Sequence, residues 1–211
     1  KEPDSKGLME GFKNLDRHVR NLQRFGQTVV VCFNRFNFDT DEEMSLVADH
    51  CKELGVGFAE CTAFGEGGKG AETLAELVAK SLEEQPSEPL TYLYNEADTI
   101  EEKIEKVAVC HYGAGKVVYK KNALKMLERA RQLGCEHYPV CIAKTQYSFS
   151  DNSKLYGCPE GFTFTIRDIV INTGAEMLVA IAGEIMRMPG LPLHPQAEYI
   201  DIVNGEIEGL S

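Results

Sequence analysis

The strongest constraint on the fold is an alternation of helical and strand patterns in the first half of the chain. Apolar residues recur at helical spacing in the ranges 8–22, 44–54 and 74–82. Two short apolar runs, TVVVCF and VGFAECTAF, separate these helices and predict strands, the first of them buried on both faces. Helices and strands in this order indicate an α/β fold with a partial parallel sheet.

This alternation breaks in the stretch EEQPSEPLTYLYNEAD, which spans residues 83–98. The stretch has two prolines and neither a helical nor a strand period, as is typical of a connection between domains. We therefore expect an α/β domain at residues 1–95, followed by a smaller α+β domain at residues 96–211.

The second half has its own pattern. Apolar residues at helical spacing in the ranges 100–108 and 123–133 predict two helices, and YPVCIAKTQYS predicts a strand that runs into a polar loop. The stretch FTFTIRDIVINTGAEMLVAIAGEIM predicts two paired strands around a turn at Asn172–Gly174. In YIDIVNGEIEGL, Asn204–Gly205 between alternating residues predicts a β-hairpin.

The glycine-rich segment Gly65–Gly70 precedes the third helical pattern. It satisfies the spacing GxGxxG, but the helix behind it leads into the proline-containing stretch and not into a second strand with an acidic residue. A triphosphate loop needs a hydroxyl after Gly-Lys, where this chain has Gly70, and the second pair Gly115-Lys116 is followed by Val117. Glycine N–H groups can still approach a ligand closely; the alternative is a plain turn with a solvated Lys69.

A second candidate site lies where the first predicted strand ends, at Asn34-Arg35-Phe36. Ligands of open parallel sheets bind at the carboxyl ends of the strands. The amide of Asn34 can pair with a purine edge because it carries both a donor and an acceptor. Phe36 and Phe38 stand where a loop begins, and Phe64 stands before the glycine segment. For Phe36 and Phe38 the alternative is that they fold back into the core.

Charge and cysteine content exclude several classes of protein. The net charge of −11, with scattered Lys and Arg, argues against a nucleic-acid partner. No apolar run reaches the roughly 18 residues that a membrane span needs. Seven cysteines without a C-x-x-C pair indicate neither a zinc site nor a disulfide framework, so we expect a reducing cytoplasm. The start, KEPDSKGLMEGF, has no targeting pattern and no methionine, so we expect a piece of a longer protein.

Five stretches together carry a resemblance to a known family. They are NLDRHVRNLQRFGQTVVVCFNRFNFDTDEEMSLV, AFGEGGKGAETLAE, PVCIAKTQYSFSD, GFTFTIRDIVINTGAEMLVAIAGEIMRMPGLP and YIDIVNGEIEGL. The motifs Lys144–Ser148 and Met188–Pro192 make the resemblance specific. Over nearly its whole length, the chain resembles the carboxyl-terminal part of formate–tetrahydrofolate ligase, also called formyltetrahydrofolate synthetase.

The resemblance implies a cytoplasmic enzyme of one-carbon metabolism. Such an enzyme uses ATP to activate formate as formyl phosphate and transfers the formyl group to N10 of tetrahydrofolate. The resemblance also implies magnesium with the ATP, an activating monovalent cation and a homotetramer. It further implies that residues 1–95 are a partial nucleotide- and folate-binding domain, a P-loop-NTPase-like half.

The resemblance also implies a ring-binding site. Two aromatic residues flank a planar ring in the family, and the matching positions here are Phe36 and Phe64. We expect these rings to face one another across a gap near the glycine segment, with adenine, pterin or both in turn as the ring. The segment itself is expected to line the ring or sugar end of the ligand. The predicted ligand-binding residues are Asn34, Phe36, Phe64, Gly67, Gly68 and Gly70.

Family chains are more than twice as long, and they carry the phosphate loop and the formate-binding residues in a part that would precede Lys1. We therefore expect this chain to be inactive alone and assign it no catalytic residue; the roles of Lys69 and Lys144 stay open. The alternative is a stand-alone binding or oligomerisation module without catalysis.

Overall fold

A computed structural model describes residues 3–185 and 192–209 of the chain. Its helices are α1 (Ser5–Arg24), α2 (Asp41–Glu53), α3 (Ala63–Glu66), α4 (Glu72–Glu84), α5 (Ile100–Cys110) and α6 (Lys121–Gln132). Its strands are β1 (Val30–Asn34), β2 (Gly57–Cys61), β3 (Lys116–Tyr119), β4 (Val140–Ala143), β5 (Thr163–Asn172), β6 (Met177–Ala182), β7 (Asp201–Val203) and β8 (Glu206–Glu208). Short 3₁₀ turns cover Gly67–Ala71 and Gln196–Tyr199. The predicted α/β class is confirmed.

The first half contains the parallel strand pair that the alternation predicts. β1 and β2 pair in parallel from Val30 opposite Gly57 to Asn34 opposite Cys61. Helices α2 and α4 pack on β2, and α1 packs on α2. The prediction that β1 is buried on both faces is wrong, since Cys32 and Asn34 are exposed. In the described part of the chain β1 has a strand neighbour on one side only.

The second half is built on a four-stranded mixed sheet with the order β3-β5-β6-β4. β3 is parallel to β5, β4 is parallel to β6, and β5 is antiparallel to β6 as predicted. β3 was not predicted, because its four residues are too few for a clear period. Helices α5 and α6 cover the sheet, and the core between them includes Ile100, Ile104, Ala108, Ala123, Leu127, Ala130, Phe164, Ile166, Ile169, Leu178 and Ala180.

The stretch between the two sheets, residues 85–99, forms neither helix nor strand. None of the described strands pairs across it. Helix α1, however, also contacts the second half: the amide of Asn21 donates to the carbonyl of His111 at 2.9 Å, and Arg24 donates to the carbonyl of Cys110. The domain boundary at residue 95 stays a proposal. It would place the two sheets in different domains, although α1 contacts both halves of the chain.

The last described segment forms the predicted hairpin. β7 and β8 pair antiparallel around Asn204 and Gly205, which have φ values of 55° and 86°. Positive φ at both turn positions is the geometry that Asn-Gly favours. Of the motif Met188–Pro192, residues 188–191 lie outside the described residues.

A capping box begins α5 and provides a test of its stability. The N–H of Glu102 donates to the hydroxyl of Thr99 at 3.2 Å, and the N–H of Thr99 donates to the carboxylate of Glu102 at 2.8 Å. Each bond satisfies an N–H at the helix start that has no partner within the helix. We expect Thr99→Ala to lower the free energy of unfolding by about 1 kcal/mol in urea denaturation.

Thr91→Ala is the matched control for this change. Thr91 is exposed, and its hydroxyl makes no hydrogen bond within the described residues. A loss of stability in Thr91→Ala as large as that in Thr99→Ala would contradict the capping role.

Candidate functional site: an aromatic cleft at two strand ends

The parallel pairing of β1 and β2 places two segments side by side: the one after β1, which begins at Arg35, and the one after β2, which begins at Thr62. The N–H of Arg35 donates to the carbonyl of Cys61 at 3.0 Å, which extends the strand pairing by one residue. The Arg35 guanidinium donates to Glu60 at 2.8 Å and to Asp41 at 2.5 Å. The hydrogen bonds to Glu60 and then Asp41 raise the pKa of this guanidinium above its ordinary value. Main-chain and ion-pair contacts therefore fix where both segments begin.

A tight turn after β1 fixes the backbone of Phe36. Its N–H donates to the carboxylate of Asp39 at 2.8 Å, and the N–H of Asp39 donates to the carbonyl of Phe36 at 3.0 Å. Thr40 then caps α2 in a capping box with Glu43. Hydrogen bonds from the N–H groups of Asp4 and Thr40 hold the pKa of the Glu43 carboxyl below its ordinary value. Phe36 is therefore positioned by its backbone, while its ring remains exposed.

Three phenylalanine rings cluster at this edge of the sheet. Phe36, Phe38 and Phe64 are 40%, 49% and 54% exposed, so none of them folds back into the core. Phe36 stacks on Phe38 with ring centroids 5.7 Å apart and an angle of 4° between the planes. Phe36 and Phe64 are 5.9 Å apart and inclined by 51°.

The expected gap between Phe36 and Phe64 is not present in this arrangement, because the two rings touch at an angle. A planar ring between them needs about 7 Å between parallel faces, twice the normal carbon–carbon contact distance.

The segment Gly65–Gly70 is helical and not an open loop. α3 and the following 3₁₀ turn cover it completely. The N–H groups of Gly65 and Glu66 donate to the carbonyl of Thr62 at 3.1 and 3.0 Å, and that of Gly67 donates to the carbonyl of Ala63. Anion sites at turns and helix starts depend on unpaired N–H groups. These three N–H groups are therefore not available to a phosphate.

Two of the glycines have a clear structural role. A Cβ on Gly70 would lie 2.6 Å from the carbonyl carbon and hydroxyl of Thr62 and 2.7 Å from the nitrogen of Ala63. Gly67 has a φ of 60°, in the left-handed region that favours glycine. Gly68 has open space around it. Close packing and backbone conformation thus explain part of the GxGxxG spacing.

The cleft beside the rings has a volume of about 1230 Å³, which is ample for a small molecule. The charged residues that line it are Arg35, Asp39, Glu60 and Glu66. Arg35 is the one cation among them, and it already pairs with Glu60 and with Asp41. The local field is therefore negative and favours a neutral or cationic ring over a triphosphate.

The cleft contains half of the predicted ligand-binding residues. Phe36, Phe64 and Gly67 line it, and their proximity follows from the parallel pairing of β1 and β2. Asn34, Gly68 and Gly70 do not line it.

Sequence reasoning missed one wall of the cleft. Gly205, Ile207 and Gly209, in and directly after the β7–β8 hairpin, also line the cleft. The sequence predicts the hairpin through Asn204–Gly205, but no local signal indicates which distant surface a hairpin will cover.

The two lysines left open by the sequence lie outside this cleft. Lys69 is exposed. The ammonium group of Lys144 donates to the carbonyl of Thr145 at 2.9 Å and to that of Ser148. Burial lowers the pKa of Lys144 below its ordinary value, partly offset by the charge of Asp151. Lys144 therefore holds its own loop in shape.

Residues 3–185 and 192–209 contain neither a candidate membrane span nor a candidate metal cluster. No helix in these ranges is both long and apolar enough to cross a bilayer. The same ranges contain no cluster of three or more His, Cys, Asp or Glu side chains arranged to hold a metal ion.

Fold and cleft together define an α/β protein with an exposed aromatic cleft at the carboxyl ends of a parallel strand pair. A family model described as formate–tetrahydrofolate ligase matches residues 1–211, which is the whole chain. The chain belongs to the formate–tetrahydrofolate ligase family.

Curated relatives named formate–tetrahydrofolate ligase agree with this assignment. The chain is 59% identical over 211 residues to the protein of Bacteroides thetaiotaomicron and 60% identical over 214 residues to that of Bacteroides fragilis. It is 50% identical over 212 residues to the protein of Campylobacter concisus. Each match covers 100% of this chain and 38% of the relative. The chain therefore spans well under half the length of these relatives.

Proposed function

We propose that the chain is the ring-binding and carboxyl-terminal portion of an ATP-dependent formate–tetrahydrofolate ligase. The complete enzyme would make 10-formyltetrahydrofolate through formyl phosphate. Family membership over the whole chain supports this reaction. The observation that carries the role of this portion is the cluster of three exposed phenylalanines at the strand ends. Apolar side chains gathered in an exposed cleft are typical of a ligand site.

In this proposal Phe36 and Phe64 hold the planar ring of adenine, of the pterin, or of each in turn. Gly67 lies beside the ring, and Asn34 and Gly68 contact parts of the ligand that extend beyond the cleft. Gly70 contributes indirectly, because it allows the close packing that positions the segment carrying Phe64.

The residues of the aromatic cleft do not fit the phosphate end of ATP. Among the described residues, three of the four charged side chains that line the cleft are carboxylates, and the N–H groups of Gly65, Glu66 and Gly67 are bonded to the carbonyls of Thr62 and Ala63. We therefore assign the triphosphate, magnesium, the monovalent cation and formate to sequence that the longer relatives have and this chain does not.

The partner with the best structural support is that additional portion of the same enzyme. The outer edge of β1 has no strand neighbour in the described part of the chain, and α4 has no buried residue, with Leu82 68% exposed. An open edge and an uncovered apolar helix face are surfaces that stable proteins cover. The proposal includes assembly into a homotetramer and a cytoplasmic location.

The ring-binding role predicts the effect of removing one ring. Phe64→Ala should weaken binding of tetrahydrofolate or ATP about tenfold or more, because stacking on a base is worth about 1–3 kcal/mol. Phe64→Trp should bind at least as tightly, since the indole offers a larger face. The measurement is calorimetric titration of each ligand into the wild-type chain and both variants.

Tyr92→Ala is the matched control for Phe64→Ala. Tyr92 is 74% exposed and does not line the cleft. Equal affinities of wild type and Phe64→Ala for both ligands, or an equal loss in Tyr92→Ala, would refute the role of Phe64.

A further inference from the structure

A second pocket lies between α1 and the second half of the chain. Its volume is about 140 Å³, and it shares no lining residue with the aromatic cleft. Three parts of the chain form its walls: α1, the end of α5, and the loop that follows β4. The residues that line it are Asn14, His18, His111, Tyr112, Lys144, Gln146, Tyr147, Ser148 and Phe149.

The walls of this pocket are well fixed. His18 packs on the buried ring of Phe149 with centroids 4.8 Å apart. The hydroxyl of Ser148 donates to the carbonyl of Leu155 at 2.6 Å and accepts from the N–H of Ser150 at 3.0 Å. Lys144 adds its bonds to two carbonyls of the same loop. A site with such walls is largely preformed and needs little ordering on binding.

Several polar groups in the pocket are uncommitted. Within residues 3–185 and 192–209, the rings of His18 and His111 and the side-chain amides of Asn14 and Gln146 make no hydrogen bond. Asn14 and His18 lie one turn apart on the same face of α1, so both can reach one ligand. Each of these four side chains offers at least one hydrogen-bond donor to a bound group.

The charge of the pocket is opposite to that of the chain. The whole chain carries −11, yet the lining contains two histidines and a lysine and no carboxylate. Nearby, Arg17 pairs with Glu160, and Arg24 donates to the carbonyl of Cys110 at the end of α5. The titratable and charged groups around the two histidines are Arg17, Arg24, Tyr112, Lys144, Tyr147, Asp151 and Glu160.

We propose that this pocket is an anion site, which binds a carboxylate or phosphate group between His18, His111 and the Lys144–Phe149 loop. This proposal does not depend on the ring-binding function. Positive and hydrogen-bond-donating groups in a partly desolvated pocket favour an oxyanion, since charge-assisted hydrogen bonds are the strong ones.

The pKa values of His18 and His111 provide a direct measure of anion binding in this pocket. Burial, followed by the charge of Lys144, lowers the pKa of His18. Burial also lowers the pKa of His111, with further contributions from His18, Arg24, Arg17 and Lys144. A bound anion stabilises the protonated rings and therefore raises both pKa values.

The test is a histidine-resolved NMR pH titration of the wild-type chain at constant ionic strength, in chloride and then with inorganic phosphate or glutarate replacing the chloride. We expect the pKa values of His18 and His111 to rise by about half a unit or more, which corresponds to at least about threefold tighter anion binding to the protonated form. A rise with phosphate alone identifies a phosphate site, and a rise with glutarate identifies a carboxylate site. His137 is the internal control, because it is exposed and lies outside the pocket.

No rise with either anion, a rise at only one of the two rings, or an equal rise at all five histidines would overturn the proposal. A second measurement uses the anion that raises the pKa values of His18 and His111. His111→Gln should weaken its binding about tenfold by calorimetry, and His137→Gln should leave it unchanged. The wild-type titration decides the proposal even if His111→Gln does not fold.

Discussion

Replacing Phe164 with alanine is expected to lower the free energy of unfolding by about 3–5 kcal/mol, a large part of the stability of an ordinary domain. Phe164 lies in β5 and is fully buried. Its ring stacks on Tyr112 with centroids 5.8 Å apart and lies 6.2 Å from Phe162. Removal of the ring leaves a cavity at the centre of the four-stranded sheet, which the surrounding strands and helices cannot fill.

The matched control for this change is Phe64→Ala, which removes the same ring from an exposed position. Substitutions on the surface usually change stability by about 0.5 kcal/mol or less. Urea denaturation of both variants measures the difference. Equal losses of stability would mean that the sheet around β5 does not form the main core of the second half.

Much of the fold can be predicted from the sequence because the spacing of apolar residues differs between helices and strands. The α1 pattern ends at Gly26, which has a φ of 82°, and the β5–β6 and β7–β8 pairs join neighbours in sequence. The order of the four-stranded sheet could not be predicted. β3 is short, and its partner β5 follows only after a helix, another strand and a long loop. Local patterns do not specify such distant pairings.

The site, like the fold, could be predicted from the sequence only in part. Phe36 and Phe64 each follow one of two predicted parallel strands, which agrees with the rule that ligands bind at strand ends. Their pairing around one ring was predicted from the family resemblance. The hairpin wall around Ile207 depends on how a distant segment packs, which no local pattern reports.

The glycine segment shows why a spacing motif needs structural context. Gly65–Gly70 has the spacing of a nucleotide fingerprint, but Gly70 is explained by its contact with the Thr62–Ala63 backbone and Gly67 by its positive φ. Packing and backbone conformation can thus produce a pattern that resembles phosphate binding. The fingerprint also lacks a following parallel strand: after α4 the chain enters residues 85–99, which form no strand.

The remaining prediction is that these 211 residues alone form no 10-formyltetrahydrofolate from ATP, formate and tetrahydrofolate. Phosphoryl transfer requires cations and backbone donors positioned around the γ-phosphate. The aromatic cleft supplies neither, because Arg35, the one cation among the described residues that line it, already pairs with two carboxylates and the N–H groups of Gly65, Glu66 and Gly67 are already bonded. Stacking of a ring cannot replace this stabilisation of charge. A direct assay of product formation by the purified chain is therefore expected to give no signal above background.

A second experiment adds the additional portion that the longer relatives contain. This portion is taken from a curated relative and is either fused to the chain or supplied as a separate protein. Activity should then appear if the two portions assemble, and Phe64→Ala should weaken substrate binding in the assembled enzyme. Absence of activity in every assembled form would favour a binding or oligomerisation module without catalysis. Turnover by the chain alone that disappears in Lys69→Ala would place the phosphate site at Gly65–Gly70 and overturn the division proposed here. Lys69 suits this test because it is exposed, so its replacement should leave the fold intact.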